Sequence, residues 1–280
     1  MQEEIFIRGR DIPKIDPYLE IWHFPIALYL FLGGLAAGIL FFAALFTALD
    51  KDKQVPAVVK YAMIIVPVAL SIGLMALFYD LTHKLYFWQL YTTIRLESPM
   101  SWGAWVLLII TPLSFLWVFS YFSEIFPKWK LPFSFLEKFE TYLAKNRKNM
   151  ALIILPLSII LGIYTGILLS AFNARPLWNN SILGPLFLTS GLSTGAAAIL
   201  LLSKTHFEKS LFTKIDLGLI IIELALIVHM IMGMYAGSAV QLEALDILIG
   251  GDYTILFFGF VIILGLLIPA LLETIEIFGY

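Results

Sequence analysis

The sequence predicts an all-α integral membrane protein: a polytopic helical bundle with seven visible transmembrane helices. Three observations carry this expectation. Of 280 residues, 60% are hydrophobic and only 14% charged, with a mean hydropathy of +0.91, whereas soluble domains are about 45–50% apolar and about 25% charged. Seven stretches reach the roughly 20 apolar residues that a bilayer-crossing helix needs. The alternating ten-residue segments of a membrane β-barrel do not occur.

The spans fall at about 24–48, 57–81, 102–122, 150–172, 181–203, 214–237 and 253–277, all within one transmembrane domain over 1–280. Pro67, Pro112, Pro156 and Pro269 lie inside them, which membrane helices tolerate because neighbours re-satisfy the freed backbone groups. Orientation follows from lysine and arginine. The side holding the N-terminus (side A) carries Arg8, Arg10, Lys14, Lys84, Arg95 and Arg175, while the other twelve of the 18 basic residues lie on side B. The positive-inside rule puts side B in the cytoplasm and the N-terminus outside.

Two connections show structure of their own. Ser134-x-x-Glu137 reads as a capping box. It opens a helix with Phe135, Leu136, Phe139, Tyr142 and Leu143 at helical spacing, suited to lie on the inner membrane surface. The 85–96 stretch, with Tyr86, Phe87, Trp88 and Tyr91, suits an interfacial aromatic belt. Small residues mark close helix contacts at Gly33-x-x-x-Ala37, Gly34-x-x-x-Gly38, Gly162-x-x-x-Gly166, Gly191-x-x-x-Gly195 and Gly233-x-x-x-Gly237.

Composition also excludes functions. Without cysteine there is no disulfide scaffold, iron–sulfur cluster, Cys-ligated zinc or thiol nucleophile on this chain. A net charge of −2 with no basic domain argues against nucleic acid as a partner. The start, Met1-Gln2-Glu3-Glu4, predicts no cleaved signal peptide.

Polar groups inside the spans are the candidates for chemistry, because a charge at the bilayer centre costs about 2.5–3.5 kcal/mol on insertion scales. Glu223 sits well inside the sixth span, and His229 follows six residues on, turned to another face. Both are candidate stops on a proton path. Asp80 and His83 close the second span, where i,i+3 spacing places them on one side of a continuing helix. A carboxylate beside an imidazole raises its proton affinity, so the pair could take a proton from a quinol hydroxyl. Tyr29 and Tyr164 each lie roughly 8–12 Å below the side A surface, where a buried phenol needs a partner such as a helix carbonyl or a ligand carbonyl. Among His23, His83, His206 and His229, spacing favours no bis-histidine haem pair. No metal ligand set is expected.

Several strings together carry a family resemblance. They are Trp22-His23, Tyr29-Leu-Phe-Leu-Gly-Gly-Leu-Ala-Ala-Gly38, Ser98-Pro-Met-Ser-Trp-Gly-Ala-Trp105, Tyr164-Thr-Gly-Ile-Leu-Leu-Ser-Ala171, Arg175-Pro-Leu-Trp-Asn179 and Phe187-Leu-Thr-Ser-Gly-Leu-Ser-Thr-Gly195. Their order and spacing resemble the NrfD/PsrC family, the membrane subunits of polysulfide reductase-type respiratory complexes of bacterial or archaeal cytoplasmic membranes. The resemblance implies two four-helix bundles, here 24–172 and a shortened 181–280, since the family usually has eight helices. A short member, a hidden span and a truncated chain all fit that count. It further implies a menaquinone or ubiquinone site near the outer face, no haem or iron–sulfur cluster on this chain, and proton translocation as an option. The implied partners are an iron–sulfur (ferredoxin-like) subunit and a molybdopterin catalytic subunit.

Residue by residue, the family's quinone-site tyrosine matches Tyr164. A family histidine falls on Tyr29, and a family asparagine on Ile26. Ring-side hydrogen bonds are therefore assigned to Tyr29, His23 or the Asp80/His83 pair. Trp102, Arg175, Trp178 and Asn179 are expected in outer loops that dock the iron–sulfur subunit. The expectation is an electron-transferring quinone subunit, with an ion or solute transporter, a b-type cytochrome subunit and a passive anchor as alternatives.

Overall fold

The computed structural model describes residues 24–172 and 175–279; His23 lies outside them. Among the described residues, seven helices are long and apolar enough to cross a membrane. They are α1 (Phe24–Ala48), α2 (Ala57–Asp80), α3 (Pro99–Ser120), α5 (Arg147–Ser170), α6 (Leu183–Leu202), α7 (His206–Tyr235) and α9 (Ile255–Phe278). Two shorter helices, α4 (Ser134–Lys145) and α8 (Ala239–Ile249), lie in the connections. No strand occurs among the described residues.

Span boundaries follow hydropathy closely except at α7. That helix starts eight residues before its apolar run because the Thr205 hydroxyl accepts from the Glu208 N–H and caps it. Glu208 also accepts from the Ala57 N–H (2.7 Å) at the start of α2, satisfying one of that helix's orphan donors. The acidic 238–252 connection has structure of its own. It holds α8, opened by a capping box in which Ser238 and Gln241 bond each other's backbone.

The helices α1, α2, α3 and α5 close a ring, each packed on the next, and α6 docks on its α1/α5 side. From α6 the chain continues through α7 to α9, which packs on α7 and presents most of its apolar surface outward. The glycine motifs split by function. Gly34 and Gly38 of α1 meet Gly191 and Gly195 of α6 backbone to backbone, and Gly162 and Gly166 of α5 meet Leu188 and Leu183 of α6. Gly233 is a correction: nothing lies within 4 Å of where its side chain would be, and Gly237 touches Gln241 of its own connection. A glycine pair makes a seam only when another helix happens to cross there.

α4 forms as expected, but the Ser134 capping box does not. Phe133 is the N-cap residue, without a side-chain cap bond. The helix is held instead by Glu140, which accepts from the Ser123 N–H (2.7 Å) and hydroxyl (2.6 Å), and by Phe139 against Phe119. Phe135 and Tyr142 remain exposed, as suits a helix resting on a bilayer surface.

At the same end, Glu124 joins Lys60 of α2 (2.6 Å) to Arg147 of α5 (2.8 Å). The Arg147 guanidinium stacks 3.4 Å from the Tyr121 ring centroid. Burial pushes the Tyr121 phenol up to about 12, so it stays neutral and offers its face to the cation. Burial would raise the Glu124 carboxyl, but hydrogen bonds from Lys60 and Arg147 outweigh it and hold the group below the usual carboxylate range. A depressed folded pKa contributes stability that is present above the unfolded pKa and is lost as pH falls through the folded one. The melting-temperature difference between the native chain and Glu124→Gln is therefore expected to be largest near neutrality and to shrink as acid protonates Glu124. A difference that stays constant through the acid range would show that the ion pairs do not brace the bundle.

Candidate functional site

At end A, the ring of α1, α2, α3 and α5 encloses a cavity of about 240 Å³. Its walls are mostly apolar, from residues such as Leu77 and Leu107. Four polar side chains also line it: Tyr29 from α1, Asp80 from the end of α2, Tyr91 from the following connection and Tyr164 from α5. Ile26, one turn before Tyr29, lines it as well.

Both tyrosines on transmembrane helices are positioned by glycines on a neighbouring helix. The Tyr29 ring lies on Gly73 of α2, where a Cβ would come within 3.1 Å of ring Cδ2. The Tyr164 ring lies on Gly103 of α3, where a Cβ would come within 2.8 Å of Cζ. Each glycine is thus a missing side chain whose space the aromatic ring takes up. Tyr29 and Tyr164 are only 5% and 6% exposed. The Tyr29 hydroxyl is buried with no hydrogen-bond partner among the described residues. A buried polar atom left unpaired costs about 1–3 kcal/mol, so this phenol stands without the acceptor that its burial calls for.

Asp80 and His83 are not brought together as one helical pair. Helix α2 ends at Asp80, because Leu81 is extended (φ −64°, ψ 126°), and the i,i+3 geometry ends with it. His83 is exposed and lines a second cavity of about 640 Å³ with Gln89 and Arg95. The two cavities share Leu81, Phe87, Leu90 and Met100. The aromatic 85–96 stretch thus forms the partition between a polar surface basin and the inner cavity. Phe87 is fixed there edge-on to Phe78.

Trp102 is not in a loop. It lies in the first turn of α3, and its indole N–H donates to the Leu96 carbonyl at 2.7 Å. It lines a groove of about 360 Å³ with Glu97 and, from the other side, Tyr164. Tyr164 therefore forms a wall of both the inner cavity and this groove. Arg175 and Trp178 line a separate cavity of about 620 Å³ with Glu243 and Tyr253, and Asn179 is exposed beside them. The four residues expected in outer loops thus divide between the α3 edge and the α8 side, because chain proximity to a span says nothing about which helix flanks it.

Glu223 is buried in α7, on the side near Ser190 of α6. His229 is exposed on a different face of α7, so the six-residue spacing keeps the two apart. Sequence reading missed Glu223's actual company. Asp216 lies two turns earlier on α7, 3% exposed, and accepts from the Ser193 hydroxyl at 2.6 Å. Glu273 of α9, 8% exposed, lies near Asp216. The seven-residue spacing of Asp216 and Glu223, one face of a helix, is the signal that could have found the group. A span taken to start at 214 hid it by placing Asp216 at the membrane edge.

Among the described residues, no group of three or more His, Asp or Glu side chains could hold a metal ion.

Known proteins match the chain over most of its length. A family model described as polysulphide reductase, NrfD covers residues 15–277. A polysulfide reductase subunit of Wolinella succinogenes is 32% identical over 266 residues, 90% of this protein and 83% of that one. NrfD of Escherichia coli is 30% identical over 267 residues, 90% and 84% of the respective lengths. An NrfD homolog of Haemophilus influenzae is 29% identical over 271 residues, 92% and 84%.

Proposed function

We propose, from the premise that this chain belongs to the polysulphide reductase NrfD family, that its end A cavity binds the head group of a membrane quinone or quinol, menaquinone or ubiquinone. The chain would act as the quinone-side membrane subunit of a respiratory oxidoreductase. It would exchange electrons with an iron–sulfur subunit that serves a molybdopterin catalytic subunit. The observation that carries this reading is the unpaired, buried Tyr29 hydroxyl in an apolar cavity that Tyr164 and Asp80 also line.

The fit is chemical as well as spatial. At about 240 Å³ the cavity is smaller than the roughly 300–1,000 Å³ that holds a drug-sized ligand. That suits a planar ring whose isoprenoid tail stays outside among lipid. Phenol O–H groups donate to carbonyl oxygens. A bound quinol supplies two electrons and two protons on oxidation. Asp80 stands at the cavity rim as a proton acceptor, and the basin beyond Phe87, with His83, leads from it to the surface. The apolar walls exclude water and strengthen each hydrogen bond made inside. With no cysteine on this chain, a cluster that receives the electrons must sit on a partner. A shallow site keeps the transfer distance to that partner short. The side A faces around Trp102 and Arg175 are the candidate docking surfaces, and side A is the outer side on the lysine and arginine count.

Binding of a menaquinone analogue to membranes that contain the assembled complex tests the reading. Tyr164→Phe and Tyr29→Phe each remove one donor and are each expected to weaken binding about tenfold, the equivalent of one hydrogen bond. Saturable binding unchanged in both variants would place the quinone elsewhere. Absence of saturable binding in the native complex would favour a passive anchor or a transporter.

A further inference from the structure

The end A cavity adjoins two other hollows, and they differ in chemistry. The basin beyond Phe87 is lined by His83, Gln89 and Arg95, groups that suit water and protons. The groove of about 360 Å³ beside Trp102 is walled almost wholly by hydrocarbon. There α5 contributes Ile160, Ile163 and Ile167, and the start of α3 contributes Pro99 and Trp102. The isoleucines recur at i, i+3 and i+7, one stripe of a helix that spans about 10 Å. The two polar residues of the groove offer a ligand little. The Trp102 indole N–H is already taken by the Leu96 carbonyl at 2.7 Å, and Glu97 is exposed in the connection before α3.

Groove and cavity lie back to back across the contact of α3 with α5. Gly103 of α3 and Leu168 of α5 line the cavity, while their chain neighbours Trp102 and Ile167 line the groove and are exposed on the outer flank. Tyr164 alone lines both. At this level one aromatic ring, seated on a glycine, separates the cavity from the lipid-facing side. Other ways out of the cavity suit a hydrocarbon less. Tyr29 lies on Gly73 between α1 and α2, and α6 covers the α1/α5 side. The basin would set Arg95 and His83 against hydrocarbon, which costs free energy because a charged group loses its water.

We propose that the groove between α3 and α5 seats the isoprenoid tail of the quinone whose head group fills the end A cavity, the chain passing the Tyr164 ring to reach it. The tail site rests on the quinone reading of that cavity. In a membrane quinone the tail is joined to the ring carbon next to a carbonyl. A carbonyl held by the Tyr164 phenol therefore starts the tail beside the ring that divides the two spaces. The far carbonyl is left for Tyr29, so the tail orders the head group as well as holding it. Contact with Ile160, Ile163 and Ile167 buries apolar surface on chain and helix together and adds affinity without a hydrogen bond.

Two probes test this on membranes that contain the assembled complex: menadione, a naphthoquinone ring without a tail, and menaquinone with four isoprene units. Ile160→Phe fills the inner end of the groove, and Ile167→Phe fills its rim. Each is expected to lower affinity for the tailed probe about tenfold and to leave that for menadione within about twofold. Comparing each probe only with itself cancels its partition into lipid. Thermal melting checks folding, and Ile167 is exposed, so its variant carries the test if Ile160→Phe unfolds. A tailed quinone with a photoreactive diazirine on its first isoprene unit should label the 160–167 peptide. Label recovered from 83–95 would put the tail in the basin and overturn the proposal. Unchanged affinity for the tailed probe in folded variants would leave the groove to acyl chains of ordinary lipid and overturn it too, while menadione binding would still support the cavity. Equal losses for both probes would mean that the substitutions act on Tyr164 and the head group, and the tail site would fall. Absence of saturable binding of either probe to the native complex would remove the quinone reading, and the tail site with it.

Discussion

Alanine at Gly103 is expected to disable the end A cavity more thoroughly than removing the Tyr164 hydroxyl does. The added Cβ would stand 2.8 Å from Tyr164 Cδ2 and Cζ, well inside van der Waals contact, so the ring must swing away by most of an ångström. Tyr164 lines both the inner cavity and the groove beside Trp102, and that movement narrows one and opens the other. Overpacking of this kind costs roughly 1–3 kcal/mol, most of it at the site. Affinity for a quinone analogue is expected to fall about a hundredfold at the upper end of that range, against about tenfold for Tyr164→Phe. The double variant should be much less than additive, because both changes act through one side chain. Additive losses would mean that Gly103 and Tyr164 act independently, and the glycine-seat account would fail.

Valine at Gly195 is expected to prevent assembly of the two halves of the molecule. A Cβ at this position meets only backbone, with Gly38 C at 2.6 Å and Gly38 Cα at 2.7 Å. Side chains elsewhere can rotate aside, but here the helices α1 and α6 must separate along a seam that also holds Gly34 against Gly191. The cost should exceed the roughly 3 kcal/mol at the top of ordinary overpacking, a large share of a marginal folding free energy. The measurement is the yield and melting temperature of detergent-extracted protein. Gly233→Val is the matched control, since nothing lies within 4 Å of its Cβ position. It should change stability by no more than about 0.5 kcal/mol. Equal damage from both substitutions would mean that glycine matters here for helix backbone freedom rather than for close approach.

How much of the candidate site was legible can be judged from individual residues. Tyr29 and Tyr164 were singled out as buried phenols at similar depth, and they do line one cavity. The glycines that seat them were not readable, because Gly73 and Gly103 belong to no spaced motif and matter only through the ring that crosses them. Asp80 and His83 looked like a pair because a helix was carried past its end, and one extended residue, Leu81, undoes the spacing. Asp216 and Glu273 come from spans separated by a connection and a short helix, and no local pattern links them.

The sequence by itself determined that this chain is a polytopic α-helical membrane protein, where the seven spans among the described residues lie, and which family it belongs to. These are one-dimensional properties: hydropathy runs are set by the cost of apolar surface in water and of bare backbone in lipid, and both are summed along the chain. Only the tertiary structure decided that four of those helices close around a cavity, that α1 and α6 touch backbone to backbone, and that Asp216 of α7 accepts from Ser193 of α6. Which face of an apolar helix meets which neighbour is nearly silent in hydropathy, because lipid and protein interior are equally apolar. That choice rests on close packing and on pairing of buried polar groups, which exist only once the helices are side by side.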